Sequence, residues 1–265
     1  MNVLQKLRSA AGLARVISNW PSALADHAGL ARAPYVSRLR NGLKFRIRPG
    51  TDDGRILFEI FVRGCYDIAS IPAGATVVDI GANIGIFSIR AGRVAQRVIA
   101  CEPFPANVEL LKAHVAMNAM PHVQVHAVAI AAAPGRSALV LPDDDGYVGR
   151  YSLHPGRGSR TIEVECISLD DLVRKADIKR IDLLKVDCQG SEYEILFAAS
   201  QATLAIIDQL IVECEVFPGR ADWSQESLHR YLEARGFAVT NDGNLLHAIR
   251  SRGEPTGAPP VSRST

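Results

Sequence analysis

Apolar positions along the chain follow two periods, and each switch between them marks an element. Val77, Val78 and Ile80, the run RVIACEP, Leu183, Leu184 and Val186, and the stretch 206–215 are apolar without alternation, as strands covered on both faces are. Between them apolar residues recur at helical spacing, for example Val108, Leu111, Val115 and Met117 within 106–118. Strands alternating with helices predict an α/β domain with a largely parallel sheet.

In chain order, the pattern predicts one or two short helices in residues 1–34, broken near Pro21 and Pro34. A hairpin follows over 35–48, with Asn41-Gly42 as its turn. A helix capped by Asp52 or Asp53 carries the stripe Ile56, Leu57, Ile60 and Phe61 and ends at Gly64. A strand is expected over 122–130, and then Gly, Pro and Asp interrupt the alternation over 133–159, with a short edge strand at 137–141. Order returns with TIEVECISLDDL, a strand running through Ser168 and Asp170 into a helix ending near Ala176. Residues 225–235 read as a helix, FAVT and NLLHAI as a closing hairpin, and the chain from 251 as a disordered tail. The organisation expected is an extension, 1–50, a main domain, 51–250, and the tail, 251–265.

Composition narrows the classes. No apolar run of about 18 residues appears, and Lys6, Arg8 and Arg15 interrupt any leader-like segment, so a cytoplasmic protein is expected. Net charge is only +2, but residues 1–50 hold nine Lys or Arg against Asp26, giving +8 there and −6 beyond. Such a patch is either a solvated face or a weak contact for a membrane surface or an anionic partner. The five cysteines contain no CxxC pair, and four lie in or beside apolar runs, as buried thiols do. The Asp143–Asp145 run fails the calcium-loop spacing, and no metal is expected.

The chemistry gathers at strand ends. TVVDIGANIGIFS reads as strand, glycine turn and helix, with Asp79 ending the strand and Gly81, Ala82, Asn83 and Gly85 forming the turn. Asn83 stands where GxGxxG wants its middle glycine, which disfavours a dinucleotide. Glu102 ends the next strand, 23 residues after Asp79, the spacing of an acid that accepts ribose hydroxyls. Asp187 ends a third strand, with Lys185 before it and Glu192 in the following helix, so three acids converge on one crevice. Lys185 and Glu192 are alternatively a structural ion pair. Tyr147, Arg150, Tyr151 and His154 are candidate acceptor contacts in the long loop.

DIGANIGIFS, CEPFPANVELLKAHVAMN, SLDDL, LLKVDCQGSEYEIL and IVECE, in this order, resemble the FkbM family of S-adenosylmethionine-dependent O-methyltransferases, over roughly residues 51–217. The resemblance implies a class I methyltransferase fold: a Rossmann-like, doubly wound, mostly parallel seven-stranded sheet with a C-terminal antiparallel hairpin. It implies S-adenosyl-L-methionine as cofactor, held by Tyr66, Asp79, Gly81, Ala82, Asn83, Gly85, Glu102 and Pro103. It places a small-molecule or glycan hydroxyl acceptor above Asp187, the candidate general base, with Lys185 and Glu192 as orienting neighbours and no nucleic-acid partner. Gln189 departs from the glutamate common in the family before the glycine. The rival expectations are a nicotinamide-dependent oxidoreductase and a non-catalytic domain that binds nucleotide or protein.

Overall fold

The computed structural model describes residues 3–66, 68, 71–143, 151–154, 159–216, 220 and 222–251. Helices α1 (Val3–Val16) and α2 (Trp20–His27) precede strands β1 (Tyr35–Arg38) and β2 (Lys44–Ile47) and helix α3 (Asp53–Phe58), which continues as a π-helical turn, Glu59–Arg63. Then come β3 (Thr76–Ile80), α4 (Ile86–Ala91), β4 (Arg97–Cys101), α5 (Pro105–Met117), β5 (Val123–His126), β6 (Ala129–Ile130), β7 (Gly135–Leu141) and β8 (Arg160–Ile167). The chain closes with α6 (Leu169–Lys175), β9 (Leu183–Val186), α7 (Glu192–Ala198), α8 (Gln201–Ala205), β10 (Gln209–Glu213), α9 (Gln225–Glu233), β11 (Phe237–Asp242) and β12 (Leu245–Arg250).

Seven strands form the main sheet in the order β11-β12-β10-β9-β3-β4-β5, parallel from β10 to β5 and closed by the antiparallel β11–β12 hairpin. Neighbouring residues of one strand serve opposite cores: Val77 faces the layer of α3, α4 and α5, while Val78 and Ile80 face α6, α7, α8 and α9. That two-sided burial is why these strands read as continuous apolar runs. Strand order reverses between β3 and β4 on one side and β9 on the other, which opens a crevice at their carboxyl ends.

The stretch 122–130 divides into β5 and β6, and β6 leaves the main sheet. With β7 and β8 it builds a separate three-stranded sheet, so β7 is longer than the edge strand the sequence suggested and pairs along its whole length, Gly135 with Cys166 through Leu141 with Arg160. Pro21 sits in the first turn of α2, where its missing N–H costs nothing, and the break falls before it. Asp52 is the residue before α3 but makes no capping bond, and Asp53 instead pairs with Arg48 at 2.8 Å. Tyr147, Arg150, two of the three residues of the acidic run and the tail 252–265 lie outside the described residues.

The N-terminal hairpin is welded to α5. His114, fully buried, accepts the Arg46 N–H on Nε2 (2.8 Å) and lies 2.7 Å from the Ile84 carbonyl through Nδ1, so it is neutral with its proton on Nδ1. One turn later, Asn118 accepts the Lys44 N–H and donates to the Lys44 carbonyl, both at 2.8 Å. Two side chains thus complete the free edge of β2 as another strand would. Arg38, Arg40, Lys44 and Arg46 remain exposed on the outer side.

Candidate functional site

A cavity of about 880 Å³ opens at the carboxyl ends of β3, β4, β9 and β10, walled on one side by α3 and its π-helical turn. Its floor is backbone. Gly81 has φ +76, and a Cβ there would sit 1.8 Å from the Asp187 carbonyl oxygen, so only glycine lets the two loops touch. Asn83 is also left-handed, φ 52, a conformation its own side chain supports by accepting the Ile84 N–H at 2.8 Å. Gly85 has φ +83, and a Cβ would meet Leu111 Cδ1 at 2.0 Å, so this glycine serves packing of α5 and lies outside the lining.

Glu102 lines one end of the cavity beside Ala82, Asn83 and Pro103. Its carboxylate accepts the Asn83 N–H and the Phe104 N–H, each at 2.9 Å, and a bond from the Asn107 side chain. Burial pushes this acid up to about 7 in spite of those donors. Val128, Ala129, Ile130 and Leu139 supply an apolar wall, and Tyr151 packs on Phe104 with ring centroids 4.1 Å apart.

The other end is built from side chains. The Tyr66 hydroxyl lies 2.5 Å from Glu213 Oε2 and 3.1 Å from Asp187 Oδ2, and Asn244 donates to Glu213 Oε1 at 2.9 Å. One phenolic proton can be donated to only one of the two carboxylates at a time. Burial and the charge of Asp187 both raise Glu213. Lys185 bridges Asp79 at 3.2 Å and Asp187 at 3.4 Å under the Tyr66 ring. Burial opposes its charge, but Asp79 and Asp187 outweigh burial and keep it cationic. Gln189 donates to Asp187 Oδ1 at 3.3 Å, a bond that an ionised glutamate there would lack.

Besides Gly85, three sequence expectations change. Asp79 is fully buried beneath the floor, bound to Ser88 Oγ at 2.5 Å and to Lys185, so two acids of the expected three, Glu102 and Asp187, line the crevice. Glu192 neither reaches the cavity nor pairs with Lys185. It turns under its own loop, where Oε1 accepts the Cys188 and Gly190 N–H groups at 2.9 and 3.0 Å. His154 stands outside the lining, 3.2 Å from Ser191 Oγ and edge-on to Trp223. The sequence undervalued Glu213, whose only signal was another acid at the end of an apolar run, and missed Asn244 and Asn107.

Residues 79–239 match the methyltransferase FkbM domain family. The chain belongs to this family. The match excludes the oxidoreductase and the protein is a methyltransferase that uses S-adenosylmethionine. The chain is 29% identical over 221 residues to methyltransferase sdnD of Sordaria araneosa, covering 69% of this chain and 82% of that one. It is 30% identical over 228 residues to the AMB antimetabolite synthetase AmbE of Pseudomonas aeruginosa, covering 69% of this chain but 10% of that protein. The crystal structure of methyltransferase FkbM from Methylobacillus flagellatus aligns over 69% of this chain and 46% of its own, with 18% identity and a TM-score of 0.46.

The cavity suits this cofactor. Asp52, in the lining, has a buried Oδ1 with no hydrogen-bond partner among the described residues, and Glu102 turns an acid toward the same space. Both call for a ligand rich in N–H and O–H donors, and at Gly81 the floor presents backbone alone.

Proposed function

We propose that this methyltransferase acts on a hydroxyl oxygen of a small molecule or glycan, within a domain spanning residues 51–250. The observation that carries the proposal is one cavity with two acid-bearing ends: Glu102 on backbone amides, and Asp187 joined to Glu213 through Tyr66. Glu102 would hold the ribose hydroxyls, the apolar wall at 128–130 the adenine, and the loop Gly81–Asn83 the amino-acid end. Tyr66 and Pro103 would close its sides.

When bound, S-adenosylmethionine supplies an electrophilic methyl group on a sulfonium. The protein's part is alignment and proton removal. An alcohol attacks poorly at neutral pH, and a carboxylate that takes its proton contributes roughly 10² to 10⁴ in rate. Asp187 is the acid at the cavity floor with Lys185 and Gln189 fixing its orientation. The resemblance to a segment of an antimetabolite synthetase favours a small-molecule acceptor.

Glu102→Ala tests the cofactor end. Bonds to a charged acid contribute about 1.5–3 kcal/mol, so S-adenosylmethionine affinity measured by calorimetry should fall at least tenfold. Unchanged affinity in a folded variant would remove Glu102 from the site.

A further inference from the structure

We propose that Asn107 and Arg48 are positioning residues for the cofactor, fixing the Glu102 carboxylate toward the ribose hydroxyls, so that the N-terminal hairpin takes part in S-adenosylmethionine binding. The proposal rests on Glu102 being the ribose acid.

A continuous chain of polar contacts carries it. Arg48, the residue after β2, grips Asp53 with Nε and Nη2, both at 2.8 Å, and the same Nη2 donates to Asn107 Oδ1 at 3.0 Å. Asp53 and Asn107 are buried, at 0% and 1% exposure, so neither has water as a substitute partner. An amide whose oxygen is taken by a guanidinium must turn its NH₂ the other way, and that way lies Glu102, which accepts from it. The planar fork of Arg48 therefore decides which way Asn107 points. With the amide reversed, its oxygen would face the carboxylate and repel it.

The consequence is electrostatic as well as geometric. The charged and titratable groups that interact with Glu102 are Asp79 from β3, Cys101 at the end of β4 and Tyr151 from the loop, and Tyr151 in turn faces Arg48, Asp52 and Asp53. Burial and Asp79 push Glu102 up, and the donors Phe104, Asn83 and Asn107 pull it down, leaving it near neutrality at about 7. A ribose offers two hydroxyl donors, which an ionised carboxylate accepts together and a protonated acid does not. Removing Asn107 should therefore raise the pH at which the site becomes competent.

Calorimetric titration of the full chain with S-adenosylhomocysteine from pH 6 to 9 provides the test. Asn107→Leu should weaken binding roughly tenfold at pH 7 relative to the unmutated chain, with the loss shrinking to within about threefold at pH 9, where Glu102 is ionised in both. Arg48→Lys keeps a charge beside Asp53 but cannot grip two partners, so it should show the same trend more weakly, and it carries the test should Asn107→Leu not fold. A loss equal at every pH would mean a general lesion in packing and overturn the proposal, as would a loss under twofold at pH 7. Glu102→Gln separates the two levels: if it binds like the unmutated chain at every pH, the ribose assignment of Glu102 has failed; if it binds weakly and independently of pH while Asn107→Leu is silent, only the relay has failed.

Discussion

The two ends of the cavity hold their acids in opposite ways. Glu102 is held chiefly by two backbone N–H groups, whose positions are set by the turn after β3 and the start of α5, with the Asn107 side chain as a third donor. Asp187 and Glu213 are fixed by Tyr66, Lys185, Gln189 and Asn244, all side chains. Backbone donors cannot rotate away, so the Glu102 end, proposed to hold the cofactor, is the more rigid of the two. Hydroxyl, amide and ammonium donors can exchange partners, and the proton on the Tyr66 bridge can move without any heavy atom shifting. The proposed transfer to a hydroxyl, which needs a held cofactor and a group that takes a proton, is well served by that division.

The comparison breaks most sharply at Asp187. Asp187→Asn preserves shape and removes the proposed base, so turnover should drop by about 10² or more while S-adenosylmethionine affinity changes less than about threefold. Equal loss of both would make Asp187 a binding residue of the cofactor end. Gly81→Ala attacks the contact between the ends: a methyl group 1.8 Å from the Asp187 carbonyl, at φ +76, must push the loops apart. A cost of about 2–4 kcal/mol is expected, read as a lowered urea midpoint and lost cofactor binding. A variant as stable as the original would mean that the two loops are not pressed together.

Smaller effects sharpen the contrast. Glu213→Gln keeps a partner for Tyr66 but removes a like charge from beside Asp187. Turnover should fall about tenfold and its acid limb, which belongs to the pair, should move to lower pH, with cofactor affinity unchanged. An acid limb that stays in place would separate Glu213 from the proton path. The smallest effect concerns His114. Burial lowers its proton affinity, so the folded state favours the neutral ring, and stability is lost as pH falls below the unfolded value of about 6.5. Glu102 and Glu213, raised by burial, act in the opposite sense, so the comparison must be with His114→Gln. Between pH 7 and 5 the original chain should lose about 1 kcal/mol more than the variant in urea unfolding; parallel curves would show that the hairpin weld does not depend on a neutral ring.

Sequence alone determined what depends on local order. Continuous apolar runs required strands buried on both faces, and their alternation with helices required a parallel sheet. The glycines of the turn 81–85 and the acids after apolar runs then had to fall at one sheet edge, which is why Glu102 and Asp187 were legible. Tertiary structure decided what depends on direction and depth. Asp79 and Asp187 look alike in sequence, but Asp79 lies within β3 beneath the turn, whereas Asp187 lies just past the end of β9 in the loop that borders the cavity. Glu192 is adjacent in sequence to the site and absent from its lining, because the loop before its own helix offers its carboxylate two N–H groups. Asn107 and Arg48 are 59 residues apart, and nothing local marks either one; only the docking of the hairpin on α5 puts them in contact.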